Sequence, residues 1–222
     1  MLHLSDTIAE ALPTEIELAL AHTPSEQRDA LRVAFELDQR LARIVAATTE
    51  PMLGQMRLAW WRDMLATAPE GRPSGDAVLD GIGRHWRGHE EALSKLVDGW
   101  EVLIVAEDLN GGDLKAFASG RAAPFASILA GGSDDQAERI LAAMSIYAFA
   151  DLATGLSDQR ERGLAIQYGM GRARPPLRLP NSAKGLRVLE ALALRALKRG
   201  GRPLMEGRGA ALIATRAAIF GR

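Results

Sequence analysis

Three carboxylates in the second half of the chain, Asp151, Asp158 and Glu161, have a spacing at which they could act together. If one helix runs from Asp134 to Arg162, they fall within about 80° of one another at standard helical pitch. Carboxylate oxygens are what a hard divalent cation takes as ligands, so this face could hold Mg²⁺, although such groups more often pair with nearby arginines or face solvent. His85 and His89 are an i, i+4 pair able to share a metal, but Gly88 between them marks a helix junction and no third ligand stands out. GMGRAR, Gly169 to Arg174, lacks the third glycine and the preceding strand of a dinucleotide fingerprint and reads as a loop, with Arg172 and Arg174 as candidate anion-binding groups. Serines and threonines have no His and Asp partners at triad spacing. No residue is therefore assigned as catalytic, and none as a metal ligand.

A second pattern concerns charge on apolar helix faces. In EPMLGQMRLAWWRDML, Leu53, Met56, Trp60 and Met64 form one stripe, and Leu58, Trp61 and Leu65 widen it beyond half the circumference. Arg57 lies inside that arc. On the preceding helix Leu31, Ala34, Phe35, Ala42 and Val45 share a face with Asp38 in its middle. The two inward charges are expected to form a buried Asp38–Arg57 ion pair, and both tryptophans are expected in the core.

The elements that would position these groups are helical. Alanine and leucine dominate and no convincing alternating pattern appears, so the fold class is all-α. Helices are predicted near 5–20 (interrupted at Pro13), 25–47, 50–67, 76–87, 89–108, 113–130, 134–162, 183–199 and 205–220. Ser133 and Gln136 have capping-box spacing, Gly200-Gly201 closes a helix, and GRARPPLRLPNS is the strongest breaker. A chain of 222 residues, 47% apolar and 25% charged, reads as a single domain over residues 1–222. No apolar run is long enough for a bilayer, and the acids in MLHLSDTIAE argue against a signal peptide, which favours a cytoplasmic location, peripheral to the membrane if a lipid is bound.

Composition also excludes chemistry. Without cysteine there is no thiolate nucleophile, disulfide or thiolate metal site. The net charge of −1 conceals an asymmetry: Gly163 to Arg222 holds 12 Lys and Arg against Glu190 and Glu206, a net of +10, so residues 1–162 carry −11. The basic end could fold against the acidic body, or offer a surface to anionic lipid, a diphosphate or an acidic protein. Nucleic acid ranks lower, because only Tyr168 and Phe220 could stack there.

The run Ala34 to Leu65, AFELDQRLARIVAATTEPMLGQMRLAWWRDML, resembles the squalene/phytoene synthase family, in which a similar helix pair ends in a WWR-containing segment. Looser likenesses follow in family order: LVDGWEVLI, FASGRAAPFASILAGG and LATGLSDQRER. The resemblance implies a single-domain isoprenoid-synthase-like bundle with two Asp-rich motifs facing each other across a cavity, where Mg²⁺ neutralises a diphosphate leaving group. In the family's register the first motif is lost, with Arg40, Leu41 and Ile44 at its three acidic places. The second is half kept: Asp158 and Glu161 match, Arg162 replaces the last acid, and Phe117 stands where a tyrosine is common.

The leading expectation is thus a relative that has lost prenyl transfer and binds a protein partner or membrane lipid, as the family's complex I assembly factor suggests. No cofactor goes with it. The alternative is an active head-to-head prenyltransferase acting on prenyl diphosphates, which would need Mg²⁺ at Asp158, Glu161 and Asp151.

Overall fold

Helix boundaries in this chain have local causes. Pro13 and Pro24 directly precede α1 (Thr14–Ala21) and α2 (Ser25–Ala46), and Pro51 is the first residue of α3 (Pro51–Ala66). Asp76 accepts from the N–H groups of Val78 and Leu79 at the start of α4 (Ala77–His85). Gly88, at φ 84°, turns the chain towards α5 (Glu90–Val105). Asn110 and Asp113 form a reciprocal capping box on α6 (Gly111–Leu129), and Ser133 caps α7 (Asp134–Gly155). Asp158 caps α8 (Gln159–Gly171), and Gly200 and Gly201, both at positive φ, lead from α9 (Leu186–Lys198) towards α10 (Gly209–Phe220). This computed structural model describes residues 11–172 and 177–220, and among them every regular element is helical.

The all-α bundle has one continuous apolar core. Its centre is α7, buried on nearly every side and rich in alanine (Ala142, Ala143, Ala148, Ala150, Ala153), which lets α6, α8 and α9 approach closely. The tightest approach lies between α5 and α6. A Cβ on Gly120 would stand 2.5 Å from the Lys95 carbonyl oxygen and 2.7 Å from the Gly99 Cα. That contact brings the neighbouring residues, Trp100 and Arg121, face to face. Among the described residues no helix is long and apolar enough to cross a membrane.

The structure corrects three expectations. α3 packs through Gly54, Leu58, Trp61 and Leu65, so the stripe expected in the core turns outward: Leu53 is 46%, Met56 64% and Trp60 42% exposed. An edge helix buries only one side, and here the side carrying glycine can come close to Ile104. The predicted helix 134–162 is two helices, because the chain leaves α7 at Leu156 and Asp158 caps a new one. Gly169 to Gly171, read as loop, complete α8. Residues 5–10 of the first predicted helix lie outside the described residues.

Candidate functional site

Asp38 is buried as its place on an apolar face implied, but its partner is not Arg57. Arg57 lies on the exposed side of α3. The guanidinium that meets Asp38 belongs to Arg121 of α6: Nε donates to Asp38 Oδ1 at 2.9 Å and Nη2 to Oδ2 at 2.5 Å. Trp100 Nε1 donates to the same Oδ1 at 2.7 Å. The third guanidinium nitrogen, Nη1, donates to Asp151 Oδ2 on α7 at 2.8 Å. Carboxylates from α2 and α7 therefore face each other with an arginine between them.

Aromatic rings enclose that arginine. Its Cζ lies 4.7 Å from the Trp100 ring centroid, 5.3 Å from Phe117 and 5.5 Å from Tyr147. Burial works against its charge, yet Asp38 and Asp151 outweigh burial and raise its pKa above the ordinary value. Tyr147 is held well above the ordinary phenol pKa, first by burial and then by the charge of Asp151. On α1, burial raises the Glu15 carboxyl; a backbone hydrogen bond opposes the shift and the charge of Asp151 adds to it. The Arg121 and Asp38 side chains are 2% and 4% exposed, whereas Asp151 is 32% exposed. The cluster is thus sealed at Asp38 and opens at Asp151.

The acidic face expected of Asp151, Asp158 and Glu161 is not assembled, since the break after α7 parts the first from the other two. Asp158 Oδ1 accepts from the Glu161 N–H at 2.9 Å, and Glu161 Oε1 accepts from the Leu109 N–H at 2.8 Å. Arg162 donates to the Gly201 carbonyl at 2.9 Å. Each of these three residues holds a backbone group in place. Among the described residues no three His, Asp or Glu side chains are grouped to hold a metal ion. His85 ends α4, and His89 stands at the N-cap position of α5 without a side-chain capping bond, its ring 3.3 Å from Ser127 Oγ. Arg172 is exposed beyond α8, and Arg174 lies outside the described residues.

Arg40 and Leu41, on α2 close to Asp38, also have structural duties. Arg40 pairs with Asp76 and lies 5.8 Å from the Trp61 ring, and Leu41 is fully buried. A second inward ion pair, Arg139 with Glu190 at 2.6 Å, ties α7 to α9. Arg121 carried a sequence signal that was missed: Phe117 and Phe125 stand four residues before and after it, so it is centred on an apolar face.

No protein-family model matches this chain, and no curated protein or solved structure matches it.

Proposed function

We propose that this chain is a squalene/phytoene synthase-like protein that has lost prenyl-transfer chemistry and works, like an assembly factor, by binding a protein partner or a lipid. The observation that carries the reading is the arginine between Asp38 and Asp151. Opposed carboxylates bind Mg²⁺ because their charge is otherwise uncompensated; here a covalently attached cation compensates it. Arg40, Leu41 and Ile44 offer no further ligands at the first motif, and Asp158 and Glu161 are engaged with backbone N–H groups. A guanidinium can bind a diphosphate, but stabilising substrate and transition state equally leaves the barrier unchanged. A cytoplasmic location, peripheral to the membrane when the ligand is a lipid, goes with this reading.

The test is incubation of the purified protein with farnesyl or geranylgeranyl diphosphate and Mg²⁺, with and without NADPH, followed by product extraction. No squalene, phytoene or cyclopropyl intermediate is expected. Product that disappears in Asp158→Ala would establish the alternative, an active head-to-head prenyltransferase.

A further inference from the structure

Among the described residues, the outward side of α3 is left uncovered by the other helices. Met52 (73% exposed), Leu53, Met56 and Trp60 stand on it, and Val105, 59% exposed, lies at the same end of the bundle, where Gly54 meets Ile104. Methionine side chains are flexible and polarisable, and surfaces built from them adapt to a partner's shape. The C-terminal half of α5, its connection to α6 and the start of α6 line a cleft of about 660 Å³, with Val105 and the acids Asp98, Glu101, Glu107, Asp108 and Asp113 in its wall. Arg62 of α3 bonds to Asp98 at 2.6 Å and also to Glu101, and Asp113 accepts from the Asn110 N–H at 3.0 Å. The described lining holds no Lys or Arg, and Arg62 bonds to two of its five carboxylates. Around the circumference of α3, Ala59 and Met52 lead from the Arg62 edge to Met56, about a third of a turn away, and on to Trp60, nearly half a turn away.

We propose that the outer face of α3 and the adjoining acidic cleft form one docking site for a basic amphipathic helix of another protein. Its apolar face would cover Met52, Met56 and Trp60, while Lys or Arg along one edge reach Glu107, Asp108 and Asp98. Charge selects this occupant over a membrane. An anionic leaflet would be repelled by the cleft, and residues 1–162 as a whole carry −11. The proposal rests on the binding reading above and names the partner's chemistry.

The four tryptophans provide the assay. Trp61, Trp86 and Trp100 are buried, so Trp60 dominates the fluorescence that acrylamide can quench. The probe is a synthetic Leu/Lys amphipathic peptide of about five helical turns without aromatic residues, titrated into the full chain. The expected result is saturable protection of Trp60, weakened about tenfold or more by Met56→Glu and by Glu107→Lys/Asp108→Lys, with thermal midpoints close to that of the parent. A Leu/Glu peptide of the same spacing should give no protection. Protection unaffected by both variants would place the peptide elsewhere and overturn the proposal. So would protection by phosphatidylserine vesicles but not by the peptide, or protection that rises with protein concentration alone, which would make a second copy the occupant. Product extraction reads the loss of prenyl transfer separately, so failure here leaves that reading standing.

Discussion

Replacing Arg121 with methionine isolates the energetics of the buried cluster. Among the described residues Asp38 Oδ2 accepts from Arg121 alone, and Oδ1 would keep only Trp100 Nε1. A carboxylate with a 4% exposed side chain would then carry its charge against a single neutral donor. Asp151, at 32% exposure, can turn to water and adds little. The expected loss is about 3–5 kcal/mol, the usual result of breaking a buried pair from one side. Asp38→Asn should cost less, about 3 kcal/mol, because Arg121 keeps Asp151 and the amide oxygen can still accept from Trp100. The double variant removes both stranded charges, so its loss should fall short of the sum of the singles by about 0.5–3 kcal/mol. Urea unfolding followed by tryptophan fluorescence reads all three. Additive losses, or an Arg121→Met loss below about 1 kcal/mol, would show that the two groups are not coupled as their geometry requires.

The tryptophan pair gives a contrast in one helix: Trp61→Ala should cost about 3–5 kcal/mol, and Trp60→Ser about 1 kcal/mol or less, in the same denaturation assay. Equal losses would mean that α3 is rotated from the register described. Glu15 predicts a pH dependence. A carboxyl whose folded pKa is raised above its unfolded value of 4.5 stabilises the fold fully below that value, and the contribution is lost as pH rises through the folded pKa. The stability of Glu15→Gln relative to the parent should therefore rise between about pH 4 and pH 7 in urea midpoints, and a flat difference would remove the burial argument.

Fold class and most helix positions were legible because they depend on local signals: Pro24 ahead of α2, Pro51 at the start of α3, the Ser133 cap, the glycine pair after α9. Which face of a helix is buried was legible only where one face was available. α2 has a single apolar face, and Asp38 was placed inside correctly. The apolar arc of α3 exceeds half its circumference, so periodicity could not say which side meets α5; Gly54, the residue allowing close approach, was the better guide. The same ambiguity covers Arg57, which stands on the exposed side of α3, beyond reach of Asp38. Arg57 and Asp38 lie on consecutive helices and looked adjacent, whereas the true partner is 83 residues away on α6. Capping carries a similar lesson: Asp158 stands three residues before Glu161, the spacing of an N-cap and its N3 residue, and that local signal competes with reading both as metal ligands.

A fixed arginine between two carboxylates is not equivalent to the metal ion it would replace. Mg²⁺ shares its coordination shell between protein and phosphate oxygens, so it can neutralise a leaving diphosphate as the charge develops. Arg121 has five N–H donors, and three of them already reach Asp38 and Asp151. Aromatic rings stand around it, and its carboxylate partners have neutralised the positive charge that a departing anion would need. Deleting the arginine would not by itself make a metal site. It would leave two carboxylates, one of them sealed from solvent, and the next turn of α2 offers Arg40 and Leu41 where a metal would need more oxygen ligands. The acids at this centre hold α2, α6 and α7 together. The unbalanced acids lie elsewhere, in the cleft beside α3, where a partner from solution can reach them.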